Sequence, residues 1–268
     1  MPTMLVLGAT SGIAQAAARL FADSGWTLQL AGRDSQRLRE VADACGGAPV
    51  FPFDALDPAS RSALWGLLPS CPDAVLCAVG LLGDQDCACR SPKEALRVME
   101  CNFTGLVPVL LQAAEAFEAR GAGLIIGLSS VAGDRGRASN YAYGSAKAGF
   151  TAFLSGLRAR LWGSGVHVLT VKPGYVATGM IAGRRLPSCI VASPERVARD
   201  IFRAVHSGRD VLYTPGWWRP LLALYRALPG KGRVGERGKE KIGRGGGTFL
   251  KKGFLLPSQT HPSSSQDF

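Results

Sequence analysis

The sequence predicts an α/β fold built on a doubly wound parallel sheet. Three observations carry this. Short, β-branched, nearly all-apolar runs recur along the chain, as strands buried on both faces require. Stretches with helical periodicity lie between them, so the order reads β-α-β-α. The 268 residues are 47% apolar, enough for a sizeable core.

Strands are expected at 4–8, 27–31, 49–53, 74–79, 124–128, 166–171 and 211–213. Helices are expected near 13–24, 35–44, 58–68, 92–120, 143–161 and 194–206. Ser193-Pro194-Glu195 reads as an N-cap with proline at the first helical position. Ser91-Pro92-Lys93-Glu94 has the same form and adds the glutamate of a capping box. Gly163 and Gly165 end the long helix before the next strand. One domain over 1–228 is expected, followed by a tail over 229–268 rich in Gly, Lys, Arg and Ser. That tail has no sustained period and reads as disordered.

The formal charge is +11, of which the tail carries +5 from eight Lys/Arg against three acids. No basic stripe interleaved with aromatics and no nucleic-acid motif accompanies it, which argues against nucleic acid as a partner. The apolar run at the N-terminus is stopped early by glycine and reads as a strand, not a signal peptide. No apolar stretch is long enough to span a membrane. The seven cysteines are odd in number and irregularly spaced. The Cys87-x-Cys89 pair has no second pair at zinc-ligand spacing. Reduced thiols in a cytoplasmic protein, with no metal site, are therefore expected.

The first strand runs into Gly8-Ala9-Thr10-Ser11-Gly12-Ile13-Ala14 and then a helix. Such glycines let the backbone turn sharply against a pyrophosphate, and the helix N-terminus offers it free N–H groups. The second strand ends in Gly32-Arg33-Asp34, where a dinucleotide fold faces the adenosine ribose. Arg33 offers a permanent cation to the 2′-phosphate of NADP, and Ser11 can add a hydroxyl. Asp34 is one residue further and keeps the NAD alternative open. NADP(H) is favoured over NAD(H).

Tyr143-Gly144-Ser145-Ala146-Lys147 opens a predicted helix. Its spacing is about one turn, so the phenol and the ammonium share a face. A neighbouring ammonium is expected to stabilise the phenolate and lower a pKa that is ordinarily near 10. The phenol can then protonate a developing alkoxide or deprotonate an alcohol. Ser130 follows the strand at 124–128, on the edge where such sheets bind ligands, and can hydrogen-bond the substrate oxygen. Asn102 is a candidate to hold a water beside Lys147. Tyr141 has no lysine one turn on and reads as a packing or pocket-lining residue.

Together these residues resemble the short-chain dehydrogenase/reductase family over roughly 4–213. Gly8-x-x-x-Gly12-Ile13-Ala14 resembles its coenzyme turn, and Asp54 before Ala55 its adenine contact. Asn102, Ser130, Tyr143 and Lys147 resemble its catalytic set. Pro173-Gly174-Tyr175-Val176-Ala177-Thr178 resembles its P-G-x-V-x-T segment, which implies that Val176 binds the nicotinamide amide and that Thr178 and Pro173 help hold the cofactor. Ala14 stands where a third glycine is usual, and Cys77-Ala78-Val79-Gly80 replaces the usual N-N-A-G, which places local sheet stability in question. The resemblance implies a three-layer Rossmann sheet and hydride transfer from NADPH to a carbonyl while Tyr143 protonates its oxygen. It also implies a role for Lys147 in binding the nicotinamide ribose, and a homodimer or homotetramer.

Substrate choice is expected to lie in a short lid over 179–192, where Met180, Ile181, Leu186, Ile190 and Val191 accompany Arg184 and Arg185. That mixture suits an apolar ketone bearing an anion, or else the two arginines are solvated loop charges. The aromatic segment 215–228 with the basic tail suits peripheral contact at a membrane surface, or a subunit boundary. It resembles family members acting on polyprenyl-phosphate keto-sugars. The alternative function is a cofactor-binding sensor or scaffold on the same fold, since fold does not imply catalysis. The intact Ser130, Tyr143 and Lys147 argue against it.

Overall fold

The apolar runs do form strands with both faces covered. Met4 and Val6 face one side of the sheet and Leu5 and Leu7 the other, all fully buried. A computed structural model describes residues 1–183 and 186–227. The expectations for Arg184, Arg185, Leu228 and the tail at 229–268 lie outside the described residues.

The chain runs β1 (Thr3–Leu7), α1 (Gly12–Asp23), β2 (Thr27–Gly32), α2 (Ser35–Asp43), β3 (Val50–Pro52), α3 (Pro58–Leu67) and β4 (Ala74–Cys77). It continues through a short α4 (Gln85–Ala88), α5 (Pro92–Asn102), α6 (Val107–Arg120), β5 (Gly123–Leu128) and α7 (Tyr141–Arg160). Last come β6 (Val166–Pro173), β7 (Tyr175–Val176), β8 (Val191–Ala192), α8 (Pro194–His206), β9 (Val211–Thr214) and α9 (Trp218–Ala227).

Among the described residues the main sheet has seven parallel strands in the order β3-β2-β1-β4-β5-β6-β9. This is the three-layer Rossmann arrangement. Helices α1, α2 and α8 cover one face and α3, α6 and α7 the other. The order reverses between β1 and β4, which opens a crevice at the strand C-termini. Phe21, Phe117 and Phe150 anchor the two apolar layers and are fully buried, each contributing roughly 1.5–3 kcal/mol.

Helix starts follow their caps. Ser193 Oγ accepts from Arg196 N ahead of Pro194, and Ser91 Oγ accepts from Glu94 N ahead of Pro92. The return bond of the expected capping box is not the one Glu94 makes. Its carboxylate takes two hydrogen bonds from Arg97, at 2.7 and 2.9 Å, because a cation one turn on is the stronger partner. Gly163 and Gly165 take φ of +83° and +77° at the end of α7, as their position predicts.

The single helix expected over 92–120 is two. Phe103 leaves the helical region at φ −146°, ψ −76°, and a 3₁₀ turn over Thr104–Leu106 precedes α6. Pro108 is the cause legible in the sequence, since inside one continuous helix its ring would meet the carbonyl one turn back. The aromatic C-terminal segment also folds as a helix, α9. Trp218 and Leu222 pack inward against Val131, Tyr175, Tyr213 and Tyr225, while Trp217, Leu221 and Leu224 face outward. Among the described residues no helix is long and apolar enough to cross a membrane.

Candidate functional site

A cavity of about 800 Å³ opens at the crevice between β1 and β4. Its floor is the turn after β1. Gly8 sits there at φ +74°, and a Cβ on it would lie 2.9 Å from Val79 N. Only glycine permits both that conformation and that approach. Ser11 caps α1, its Oγ accepting from Ala14 N at 3.2 Å, so the helix N-terminus opens toward the cavity. Thr10, Gly12 and Ile13 complete the turn, and the Thr178 methyl packs over Gly12.

At the far end stand Arg33 and, unforeseen from the sequence, Arg37. Arg37 reaches back to the Thr10 main-chain oxygen at 3.3 Å. Asp34, which kept NAD open as an alternative, uses Oδ1 to cap α2 by accepting from Arg37 N at 3.0 Å. Asp54 and Ala55 line the same end. Asp54 Oδ1 accepts from Leu56 N, which fixes the loop after β3. Cys101, also unforeseen, lines the wall between these groups and Lys147.

Ser130, Tyr143 and Lys147 meet at the other end of the cavity. Ser130 ends the segment after β5; its Oγ accepts from Ala132 N at 3.1 Å, and its hydroxyl neighbours the Tyr143 phenol in the cavity. Ser129 Oγ donates to the Lys147 main-chain oxygen at 3.0 Å and lies 2.6 Å from Thr151 Oγ1, which fastens that segment to α7. Gly133 permits the close packing, since a Cβ there would lie 2.7 Å from Lys147 C and Ala148 N. Lys147 Nζ donates to the Leu128 oxygen at 2.9 Å and the Val79 oxygen at 3.4 Å. Pro173 and Val176 border the same space on the β6 side.

The electrostatics differ from expectation in one respect. Burial pushes the Tyr143 phenol up to about 12, partly opposed by the Ser130 hydroxyl, and Lys147 is not among the causes. The lysine lies 5.9 Å from the tyrosine ring centroid and directs its donors to main-chain oxygens instead. Burial itself lowers the Lys147 ammonium to about 8.

Asn102 lies near Lys147, since a Cβ on Gly80 would meet its Oδ1 at 3.3 Å and the Lys147 Nζ at 3.8 Å. It is fully buried and is not among the residues lining the cavity. Its Nδ2 donates to the Leu81 and Val98 oxygens at 2.6 and 2.8 Å, and its Oδ1 accepts from Leu81 N at 3.2 Å. The side chain clamps the strand β4 exit. Tyr141 does not line the cavity either; it is half-exposed, with its hydroxyl 3.3 Å from Cys89 Sγ. All seven cysteines are free; Cys77 and Cys101 are buried, whereas Cys71, Cys87, Cys89 and Cys189 are exposed rather than packed as small hydrophobes.

The "short chain dehydrogenase" family profile matches residues 2–187. The chain belongs to this family. An uncharacterized oxidoreductase of Streptomyces coelicolor is 38% identical over 234 residues, covering 85% of this chain and 92% of the relative. An uncharacterized oxidoreductase of Mycobacterium tuberculosis is 36% identical over 235 residues, covering 84% and 93%. Among solved structures, a short-chain dehydrogenase from Sphingobium yanoikuyae in complex with NADPH superposes at a TM-score of 0.74. Its identity is 24%, covering 91% of this chain and 99% of that one, a likeness of fold. This short-chain dehydrogenase is thus an oxidoreductase by family, and its family binds a nicotinamide cofactor. The donor set here fits such a group: a glycine turn with a helix N-terminus for a pyrophosphate, cations beyond it, and hydroxyl and amine groups at the opposite end.

Proposed function

We propose that the chain is an NADP(H)-dependent oxidoreductase that interconverts a ketone and a secondary alcohol. The observation that carries this is the buried Tyr143 phenol, which shares one cavity with Ser130, Lys147 and the Gly8–Ile13 turn. A bound nicotinamide supplies or accepts the hydride. Ser130 orients the substrate oxygen by hydrogen bonding. Tyr143 gives that oxygen its proton in reduction and, as the phenolate, takes it back in oxidation; burial keeps the resting phenol protonated, and the charge developing on the substrate oxygen draws the proton across. Lys147, with two main-chain acceptors, keeps one ammonium hydrogen for the ribose or a proton relay. Arg33 and Arg37 support NADP(H) over NAD(H): both line the far end of the cavity beside Asp34, whose Oδ1 is engaged in capping α2.

The substrate end is lined by Leu81, Leu82, Met180 and Ile181, which suits an apolar ketone, a lipid-linked keto-sugar included. The outward Leu221 and Leu224 of α9, with Trp217 just before it, are the surface that would meet a lipid headgroup layer.

The test is NADPH oxidation with a panel of apolar ketones by the wild type and Tyr143→Phe. Turnover that falls at least ~100-fold in the variant, with NADPH affinity unchanged, supports the assignment. Retained turnover in Tyr143→Phe removes Tyr143 from it. NADPH binding without reduction of any ketone points to a sensor.

A further inference from the structure

Behind the site lies a buried charged cluster. Lys172 Nζ donates to Asp134 Oδ1 at 2.5 Å, and the Tyr213 hydroxyl donates to Asp134 Oδ2 at 2.7 Å. The Asp134 side chain is 3% exposed and that of Lys172 9%. Neither residue belongs to a motif, yet their places in the chain are telling. Asp134 closes the 3₁₀ turn Val131–Asp134 that begins directly after Ser130. Lys172 directly precedes Pro173 on β6, and Tyr213 lies on β9 just before α9.

Further contacts join the same three segments. Gly174 N donates to the Thr214 oxygen at 3.0 Å. A Cβ on Gly174 would lie 1.9 Å from Trp218 Nε1, so the indole of α9 is seated directly against that turn. The neighbouring Arg135 donates to the Tyr225 and Arg226 oxygens at 3.1 and 3.0 Å, holding the other end of α9. Trp218 also packs on Val131, the residue after Ser130.

We propose that Asp134 is a positioning residue, which through Lys172 and Tyr213 fixes the Ser130 turn against the Pro173–Gly174 turn, with Trp218 of α9 wedged behind both. A buried ion pair is weak as a source of stability, because desolvation offsets its attraction. Its geometry is nevertheless specific. Here it joins the segment that orients the substrate oxygen to the segment bordering the nicotinamide. The inference rests on the proposed ketone reductase, in which the distance between those two segments governs hydride transfer.

The test compares wild type with Asp134→Asn and with the doubly uncharged Asp134→Leu/Lys172→Met. The double variant leaves no lone buried charge and so keeps the fold testable. Three measurements are made: NADPH affinity by fluorescence, kcat and KM with one ketone, and backbone amide hydrogen exchange. The expected result is NADPH affinity within about twofold and kcat lower by about tenfold to a hundredfold, the scale of a misplacement near 1 Å. Exchange rises over 130–137 and 173–176 and stays unchanged over 8–13. Unchanged kcat and unchanged exchange over 130–137 overturn the proposal, and so does an NADPH affinity that falls in step with kcat. If the wild type binds NADPH but reduces no ketone, the reductase reading fails by itself, and the exchange at 130–137 and 173–176 alone decides whether Asp134 joins the two turns.

Discussion

Arg37 Nη2 lies 3.3 Å from the Thr10 main-chain oxygen, so a side chain from α2 braces the turn after β1. Arg33 beside it has no such tie among the hydrogen bonds of the described residues and lines the far end of the cavity. Arg33→Ala is therefore expected to weaken NADPH binding by about tenfold to a hundredfold, the loss of a charge-assisted contact, and to leave NADH within twofold. Arg37→Ala weakens both nucleotides, because it also frees Thr10. Parallel fluorescence titrations with the two cofactors check this; equal loss of both in Arg33→Ala contradicts it.

The depressed Lys147 ammonium sets a pH limit. It titrates at about 8, whereas the Tyr143 phenol, near 12, stays protonated throughout the neutral range. In the reductive direction kcat/KM is expected to hold level through neutral pH and to fall above about 8, as the ammonium is lost while the phenol remains an acid. In Lys147→Arg, whose charge does not titrate in this range, the fall near 8 disappears from whatever activity remains. A fall at the same pH in both proteins assigns it to another group.

Burial of Lys147 is also a stability statement. The folded pKa of about 8 lies below the ordinary lysine value of 10.5. Between those two values the unfolded chain binds more protons, so this group costs stability in full below 8 and less as pH rises toward 10.5. Lys147→Met is expected to raise the neutral-pH stability by about 1 kcal/mol, because the Leu128 and Val79 oxygens lose their donor and offset part of the gain. Turnover is lost. Urea unfolding at pH 7 and at pH 10 checks the sign: the advantage shrinks at the higher pH.

Much of the site was legible because its signals are local. The glycine turn joins one strand to the next helix, and Tyr143 and Lys147 are one turn apart on α7. The clamp that Asn102 makes was not legible because its partner, Leu81, comes from a distant segment and no spacing rule connects them. Arg37 was missed because an arginine early in a helix looks like a solvated surface charge, and only the fold of β1 onto β2 brings it to Thr10. Asp134, Lys172 and Tyr213 carry no motif; they meet only through the pairing of β6 with β9. The break at Phe103 was readable in principle from Pro108, but the strong apolar period on either side masked it.

The two-residue strands β7 and β8 pair side by side, Tyr175 with Val191 and Val176 with Ala192, and Ala177 N donates to the Ala192 oxygen at 2.9 Å. The loop between them therefore leaves and rejoins the domain at a single stapled point. Closing a loop of twice the length across such a staple costs only about 0.6 kcal/mol more. Insertions or wholesale exchange at that point leave the proton-transfer groups where they are. On the proposed reading, the segment is a cassette that can be exchanged to alter substrate choice while the strands that carry it stay paired.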